Sequence, residues 1–196
     1  MIYWLYARLL ARQITILPNQ ICIMIDENDL REAPDKLYDC VAWSVEIGIK
    51  GVIFHISTKD PSAMIPLLPA IQKISSIAAL TLHCGEHEAM SGKGIAVTVA
   101  VGKSGREEIT TCIRAMAEEH LSPDAVDESV FERYLTFRYT PDLVIKTGGD
   151  HLTDFLIWQS VYSELFFSDV NWKFLRKVDF LRALRDYQSR VRRFGT

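Results

Sequence analysis

The sequence predicts one α/β domain with a mostly parallel, six-stranded sheet flanked by helices. Three observations lead to this fold class. Short apolar segments rich in β-branched residues alternate with segments of helical periodicity. The apolar segments are nearly continuous, which is typical of strands that helices cover on both faces. The 196 residues contain neither an internal repeat nor a low-complexity linker, so residues 1–196 are predicted to form a single domain.

The predicted elements follow one another along the chain. Six strands are predicted, at Gln20–Asp26, Gly51–Ser57, 78–82, 94–101, 141–146 and 165–168. Helices are predicted at 34–48, 64–76, 107–119, 122–139, 152–160 and 177–193. Pro34 suits the first turn of a helix and Gly48 suits a helix end. Pro66 and Pro69 interrupt the helix predicted at 64–76.

Residues 1–17 are predicted to form an N-terminal amphipathic helix. Aromatic and basic residues mix within it, among them Trp4, Tyr6, Arg8 and Arg12. Two interpretations are open: the helix packs on its own domain, or it lies on a membrane surface. No apolar segment reaches the ~20 residues that a spanning helix needs. We therefore expect a cytoplasmic protein, with peripheral membrane contact as the alternative.

The charge and the cysteines narrow the class of protein. A net charge of −3 provides no basic field, so nucleic acid is not expected as a partner. The four cysteines show no paired CxxC spacing, and Cys22, Cys40 and Cys112 lie in apolar or helical segments. They are expected to be reduced thiols in a reducing compartment.

Two short motifs resemble ligand sites but are incomplete. Gly102-Lys103-Ser104 follows a predicted strand, as in a nucleotide-binding loop, yet Val97 occupies the position of the first glycine. A helix-capping turn is the preferred interpretation. The segment His83-Cys84-Gly85-Glu86-His87 offers four metal-ligand types without a second cluster, so a polar loop is expected there.

Polar residues and glycines follow three of the predicted strands. Asp26 ends the first strand, Gly102-Lys103-Ser104-Gly105 follows the fourth, and Gly148-Gly149-Asp150 follows the fifth. Ligands of open parallel sheets bind beyond the carboxyl ends of the strands. A binding site is therefore predicted at this edge of the sheet.

Several motifs follow one another in the C-terminal part of the sequence. Pro-Asp-Leu-Val-Ile-Lys-Thr-Gly-Gly-Asp occupies 141–150, Phe-Leu-Ile-Trp-Gln 155–159, Tyr-Ser-Glu-Leu-Phe-Phe 162–167 and Arg-Arg-Phe-Gly 192–195. Together they resemble the C-terminal half of cis-prenyltransferases, the undecaprenyl and dehydrodolichyl diphosphate synthase family. The resemblance extends back to 18–26 and is weak between 60 and 95.

The resemblance implies a reaction and roles for individual residues. Members of this family condense isopentenyl diphosphate onto an allylic diphosphate with Mg²⁺, and they pair as dimers. The resemblance assigns Asp26 as catalytic residue and Mg²⁺ ligand if the chain is active, and Glu164 as a second metal ligand. It also places Trp158 and Glu164 at the subunit interface. Arg193 and Gly195, the Arg-x-Gly tail, would bind phosphate in trans, in the neighbouring subunit's isopentenyl diphosphate site.

The loop after the first strand departs from the family pattern. The family continues from the aspartate with Gly-Asn-Gly-Arg, whereas this chain has Glu27, Asn28, Asp29 and Leu30. Two carboxylates replace glycines whose amides approach a diphosphate, and leucine replaces a cation. Like charges repel, so this loop is expected to repel an allylic diphosphate.

Other positions also depart from the family pattern towards weaker substrate binding, whereas the tail keeps the family pattern. Residues 57–61 lack the asparagine that the family carries there, and Lys146 replaces an arginine that grips phosphate with two prongs. Arg193 and Gly195 keep the family pattern. A chain that lacks residues for binding its own substrate but keeps the tail resembles the non-catalytic Nogo-B-receptor-type subunit of heteromeric cis-prenyltransferases. That subunit, however, lacks the aspartate that persists here as Asp26.

Three functions are compatible with this pattern. The first is a non-catalytic accessory subunit that binds a catalytic homologue, as a heterodimer or heterotetramer, for synthesis of a long-chain polyprenyl diphosphate, the precursor of a glycosyl carrier lipid such as dolichol. Mg²⁺ would then be held mainly by the catalytic partner and the substrate. The alternative is an active homodimeric prenyltransferase with short-chain or atypical condensation chemistry. The third is a binding or receptor protein without prenyl chemistry.

Overall fold

A seven-stranded sheet lies at the centre of the fold. The computed structural model describes residues 2–149, 152 and 156–194, with side chains at 6–149, 152 and 156–190. Its strands are β1 (Gln20–Asp26), β2 (Gly51–Ser57), β3 (Ala79–Cys84), β4 (His87–Ser91), β5 (Ala96–Val101), β6 (Leu143–Thr147) and β7 (Glu164–Ser168). Their order in the sheet is β4-β3-β5-β2-β1-β6-β7. Every neighbouring pair is parallel except β3 and β4. The predicted α/β class with a mostly parallel sheet is therefore confirmed.

Strand β1 shows why the apolar segments are continuous. Its residues 21–25 are all buried, although successive side chains point to opposite faces of the sheet. Ile21, Ile23 and Ile25 belong to the main core, while Cys22 and Met24 belong to a smaller cluster that also contains Ile53 and Val144. Both faces are thus covered, and each buried side chain of this size contributes about 1.5–3 kcal/mol.

Within the residues that the structure describes, seven α-helices surround the sheet. They are α1 (Ile2–Gln13), α2 (Glu27–Glu32), α3 (Lys36–Ile47), α4 (Leu68–Gln72), α5 (Gly105–Glu118), α6 (Glu128–Tyr134) and α7 (Lys177–Phe194). Short 3-10 helices occupy Pro61–Leu67, Lys73–Ser76, Pro123–Ala125 and Trp172–Phe174. Helices α3, α5 and α7 match their predictions closely, because each has a clear apolar stripe.

Six strands were predicted, whereas the sheet of the described residues has seven. The additional strand, β4, pairs antiparallel with β3 across a tight turn in which Gly85 has a positive φ of 58°. All five β4 residues are exposed, so the strand carries no apolar alternation that would reveal it. The polar loop expected at His83–His87 is instead the turn of this hairpin, with the His83 imidazole 2.9 Å from the Glu88 carboxylate.

Three predicted helices differ from the structure. The helix predicted at 64–76 is divided into two 3-10 helices and α4, because Pro66 and Pro69 cannot donate a backbone hydrogen bond. The helix predicted at 122–139 ends at Tyr134, where Leu135 turns extended and buried. Of the helix predicted at 152–160, residues 153–155 lie outside the described part, and 157–162 form turns.

Helix α1 packs against α7. Leu10 is buried in the main core, and the side chain of Gln188 accepts hydrogen bonds from the amides of Thr15 at 2.6 Å and Ile16 at 2.9 Å. Tyr6 and Leu9 stay exposed on the outer side. The first interpretation of this segment is therefore the one observed, and membrane contact stays a prediction. Among the described residues, no helix combines the length and apolarity needed to cross a membrane.

Trp172 joins distant parts of the fold beside α2. Its side chain is fully buried, its ring meets Phe54 edge-on at 6.5 Å, and its Nε1 donates to the carbonyl of Ala33 at 3.0 Å. The contact connects the segment after β7 to the segment between α2 and α3. It therefore fixes the position of α2 relative to the sheet.

We predict that Trp172→Phe lowers the free energy of unfolding by about 1–3 kcal/mol, because the Ala33 carbonyl loses its buried donor. Urea denaturation measures this change. Phe174→Ala is the matched control: Phe174 is 64% exposed, so its loss should change stability by less than ~0.5 kcal/mol. Equal effects of the two substitutions would contradict the role assigned to Trp172.

Candidate functional site

The carboxyl ends of the central strands meet at one edge of the sheet, called here the carboxyl edge. Asp26 ends β1 directly beside Ser57 of β2, and Ile56 of β2 lies beside Val101 of β5. Asp26 and the loop that begins at Gly102 are therefore at the same edge, as the sequence predicts. The imidazole of His55 lies 2.7 Å from the carbonyl of Lys103, which attaches this loop to β2.

Asp26 is the N-cap of α2. Its Oδ1 accepts from the amide of Asp29 at 2.9 Å, while Oδ2 of Asp29 accepts from the amide of Asp26 at 3.3 Å. This reciprocal pair is a capping box, worth about 1 kcal/mol. The Asp29 amide therefore donates to a carboxylate of its own chain, and it is not free to donate to a diphosphate oxygen.

Glu27 attaches α2 to the loop after β2. The hydroxyl of Thr58 donates to Oε2 of Glu27 at 2.5 Å, and Nε of Arg31 lies 4.0 Å from the same carboxylate. Thr58 belongs to the segment in which the resemblance expects a catalytic asparagine. A contact within the chain therefore occupies this position as well.

The position of the family's loop arginine is part of the core here. Leu30 is fully buried and belongs to the main hydrophobic cluster. The next residue, Arg31, donates from Nη2 to the carbonyl of Ala63 at 3.2 Å, besides its contact with Glu27. Arg31, the cation of α2, is therefore already beside a carboxylate of the same helix.

Lys146 is also engaged within the chain. Its ammonium donates to the carbonyl of Thr147 at 2.8 Å. Burial raises the pKa of the Asp29 carboxyl above its ordinary value, the charge of Asp26 adds to the rise, and the positive charge of Lys146 opposes it. The positive charge of Lys146 therefore acts on Asp29 as well as on the Thr147 carbonyl.

Glu164 lies at the opposite edge of the sheet, called here the amino edge. It is the first residue of β7 and lies beside Leu143, the first residue of β6, which in turn lies beside Ile21 near the start of β1. Asp26 lies five residues after Ile21, so Asp26 and Glu164 are separated by about 17 Å along the strands. The two predicted Mg²⁺ ligands do not come together within one chain.

The described part of the tail also ends at the amino edge. Arg190 on α7 donates from Nη1 to the Glu164 carboxylate at 3.1 Å, and its Nε lies 2.7 Å from Asp186. The backbone of Arg193 follows less than one helical turn later, and Gly195 lies outside the described residues. The carboxyl edge, where Asp26 ends β1, lies about 17 Å away along the strands.

Trp158 lines a groove of about 830 Å³ at the amino edge. Its ring packs on Phe131 of α6 with centroids 4.4 Å apart. Beside it, Val161 and Tyr162 are 61% and 93% exposed, which is unusual for apolar side chains of this size. The sequence analysis expects Trp158 at a subunit interface, which stays a prediction. It does not reveal the contribution of α6, because no local pattern shows which side chains a helix will meet.

The comparison with known proteins identifies the family. The family model described as putative undecaprenyl diphosphate synthase matches residues 58–195. A tritrans,polycis-undecaprenyl-diphosphate synthase (geranylgeranyl-diphosphate specific) of Picrophilus torridus is 34% identical, over 88% of this chain and 83% of the relative. This chain belongs to the undecaprenyl diphosphate synthase family of cis-prenyltransferases.

Other relatives cover the chain almost completely. An isoprenyl transferase of Deinococcus radiodurans is 31% identical over 98% of this cis-prenyltransferase chain and 91% of the relative. A short-chain Z-isoprenyl diphosphate synthase of Mycobacterium bovis is 31% identical over 95% and 91%. Each of these relatives is named as a synthase or transferase. The lavandulyl diphosphate synthase of Lavandula x intermedia, solved with dimethylallyl diphosphate, shares the fold with a TM-score of 0.65, 20% identity and coverage of 88% and 95%.

The alignment with the Deinococcus protein contains many gaps in this chain. It spans 253 positions and includes 98% of the 196 residues, which is about 192, so about 60 positions are gaps here. The helices between β2 and β3 are short. Met64, Ile71 and Ile74 of that region are fully buried in the core.

We predict that Asp29→Asn gains stability relative to the wild type as the pH rises from about 4 to 7. The folded protein binds the Asp29 proton more tightly than the unfolded chain does, so ionisation of this carboxyl destabilises the fold. Asparagine keeps an acceptor for the Asp26 amide but carries no charge. Urea denaturation over a series of pH values measures the difference.

Asp127→Asn is the matched control for this pH series. Hydrogen bonds from the amide of Val130 and the hydroxyl of Ser129 lower the pKa of Asp127, so ionisation stabilises the fold at this position. Its substitution should therefore lose stability relative to the wild type as the pH rises to about 4, so the series for this control extends below pH 4. The same sign for both variants would contradict the assignment for Asp29.

Proposed function

We propose that this cis-prenyltransferase homologue is an accessory subunit. It binds a catalytic chain of the same family and completes that chain's isopentenyl diphosphate site with Arg193 and Gly195. The product of the complex is a long-chain polyprenyl diphosphate, the precursor of a glycosyl carrier lipid. The observation that carries the proposal is the carboxylate-lined start of α2, where Asp26 and Asp29 cap each other and Glu27 binds Thr58.

The charges at the carboxyl edge oppose an allylic diphosphate. Asp26, Glu27 and Asp29 contribute three carboxylates, and the cations beside them, Arg31 and Lys146, are already engaged by carbonyl and carboxylate oxygens. A diphosphate would have to displace the capping box and then face the released carboxylates. Like charges ~4 Å apart cost about 1 kcal/mol in water and more where water is excluded. Binding of the allylic substrate is therefore assigned to the partner.

The residues of one chain do not fit a Mg²⁺ site. Oδ1 of Asp26 accepts from the Asp29 amide, Glu164 is at the other edge with Arg190, and the described residues contain no group of three or more metal-ligating side chains. Magnesium prefers a set of oxygen ligands that includes carboxylates and substrate phosphates. We therefore assign Mg²⁺ to the catalytic partner and the substrate diphosphate, with Asp26 and Glu164 of this chain as weak contributors at most.

The tail supports a role in trans. It leaves α7 at the amino edge, about 17 Å along the strands from the chain's own Asp26, so its arginine would be available to a neighbouring chain. Arginine binds phosphate with two parallel hydrogen bonds, and glycine lets a backbone amide approach closely. The pairing surface would include Trp158 and Glu164 of the amino edge.

The second candidate is an active homodimeric prenyltransferase with short-chain or atypical chemistry. The names of the relatives favour it, since all those described above are synthases or transferases. Asp26 also persists, and the filled core at Met64, Ile71 and Ile74 leaves little room for a long product. Homodimers would place each tail at the partner's carboxyl edge in the same way.

We predict that the purified chain alone releases no diphosphate from isopentenyl diphosphate and dimethylallyl diphosphate with Mg²⁺. The measurement is a coupled assay of diphosphate release. Release above the background, abolished by Asp26→Ala, would instead establish the second candidate. Release that Asp26→Ala leaves unchanged would indicate a contaminating enzyme.

We also predict that Arg193→Ala lowers the activity of the complex with a catalytic homologue that carries the Asp-Gly-Asn-Gly-Arg loop. A charge-assisted phosphate contact contributes about 1.5–3 kcal/mol, so kcat/KM for isopentenyl diphosphate should fall about 10- to 100-fold. Arg192→Ala, one residue away, is the control and should have little effect. Full activity of the Arg193→Ala complex would favour the binding-protein hypothesis.

A further inference from the structure

Helices α1 and α7 concentrate positive charge in a chain that is acidic as a whole. The first 25 residues contain Arg8 and Arg12 but no acidic residue. Together, α1 and residues 177–190 of α7 contain six lysine or arginine residues and two aspartates, a net charge of +4. The whole chain carries −3, so the remaining residues sum to −7. Two helices that pack against each other therefore differ in sign from the rest of the molecule.

The outer sides of these two helices form one surface, called here the basic face. Their inner sides are buried in the main core, at Leu10 of α1 and Leu184 of α7. The guanidinium carbon of Arg182 on α7 lies 6.0 Å from the ring centroid of Tyr6 on α1, which joins the two outer sides. The basic face consists of the exposed residues Tyr6, Arg8, Leu9, Arg12, Arg182 and Arg185.

The subunit compensates only part of this charge. The two aspartates of α7 are already paired, Asp179 with Arg176 and Arg182, and Asp186 with Arg190. Within the described part of the chain, the side chains of Arg12 and Arg185 form no ion pair and no hydrogen bond. These two charges are therefore available to another molecule.

Apolar surface lies directly beside the arginines. Leu9, between Arg8 and Arg12 in the sequence, is 50% exposed. A groove of about 340 Å³ between α1 and the end of α3 is lined by both arginines. Its one acidic residue, Glu46, lies 2.5 Å from the ammonium of Lys177 and is thereby compensated. The other residues that line the groove are partly buried and apolar: Ala11, Ile14, Leu17 and Ile47.

We propose that the basic face binds the surface of an anionic lipid bilayer. The guanidinium groups of Arg8, Arg12 and Arg185 bind lipid phosphates, with which arginine forms two parallel hydrogen bonds. Leu9 and Tyr6 enter the boundary between the headgroups and the acyl chains. The stems of the arginines are apolar, so they lie along this boundary while the charges stay with the phosphates.

The mixture of charge and apolar area favours lipid over other polyanions. A nucleic acid would compensate the arginines through its phosphates but would leave Leu9 without an apolar partner. Helix α1 has 12 residues, fewer than the ~20 that cross a bilayer, so it lies in the plane of the interface. The inference goes beyond the proposed function and holds for both candidates, because each makes a prenyl diphosphate with a lipid-soluble chain.

The experiment measures co-sedimentation of the purified chain with lipid vesicles. One set of vesicles is phosphatidylcholine alone, and the other is equimolar phosphatidylcholine and phosphatidylglycerol. We expect the wild type to bind the anionic vesicles much more tightly than the neutral ones. Arg12→Glu/Arg185→Glu should weaken this binding about tenfold or more at low salt, and the difference should shrink as salt screens the charges.

Leu9→Ala tests the apolar contribution separately. It should weaken binding to the anionic vesicles about three- to tenfold, and this loss should persist at high salt because salt does not screen apolar burial. The charge control is Arg106→Glu/Arg114→Glu, which makes the same change at two exposed arginines of α5 outside the basic face. This control should bind the vesicles as the wild type does.

Thermal denaturation checks that each variant folds. If Arg12→Glu/Arg185→Glu does not fold, Arg12→Gln/Arg185→Gln replaces it and should weaken binding in the same direction by a smaller factor.

Several outcomes would overturn the inference. They are a wild type that stays in solution with both kinds of vesicle, equal binding to the two kinds, and equal binding by the wild type and Arg12→Glu/Arg185→Glu. A labelled oligonucleotide that binds as tightly as the anionic vesicles, and is lost in the same variant, would overturn it too, since the face would then recognise phosphate without lipid. Neither prenyl substrates nor a catalytic homologue take part in these measurements, so their failure leaves the proposed function intact.

Discussion

The parallel alignment of β2, β1 and β6 is the constraint on which the arrangement of this subunit depends. Buried backbone groups must be hydrogen-bonded, and pairing in one direction places all carboxyl ends at one edge and all amino ends at the other. Asp26 is therefore held at the carboxyl edge, while Glu164 and the end of α7 are held at the amino edge. A change of register by one residue would move β1's apolar side chains to the wrong faces, so the separation is fixed by burial.

This separation supports the proposed division of roles between the two edges. In that proposal, residues at the carboxyl edge determine what the chain binds for itself, and the tail acts on a neighbouring chain. The capping box of Asp26 and Asp29 stabilises α2 with amides that a diphosphate would need. Local stability and substrate binding thus compete for the same donors, and in this chain the helix cap uses them.

The two edges also differ in how their charges are compensated. At the carboxyl edge, Asp26, Glu27 and Asp29 provide three carboxylates, and Arg31 and Lys146 are the cations beside them, so the acids exceed the bases by one among these residues. At the amino edge, Glu128 and Glu132 form no ion pair among the described residues, and Glu128 lies in the first turn of α6, where the helix dipole favours an acid.

The sequence by itself determined the fold class, because continuous β-branched segments and helical stripes depend on local periodicity alone. It also determined the family, since ordered motifs such as those at 141–150 and 162–167 do not need coordinates. The sequence did not predict strand β4, because a fully exposed strand has no apolar pattern. It also did not predict the capping role of Asp29, although the Asp-x-x-Asp spacing was a signal for it. Only the tertiary structure decided that Leu30 is a core residue, that the charge of Lys146 acts on Asp29, and that Glu164 lies far from Asp26. These facts depend on contacts between residues distant in the chain, and such contacts are set by the packing of helices on the sheet rather than by any local pattern.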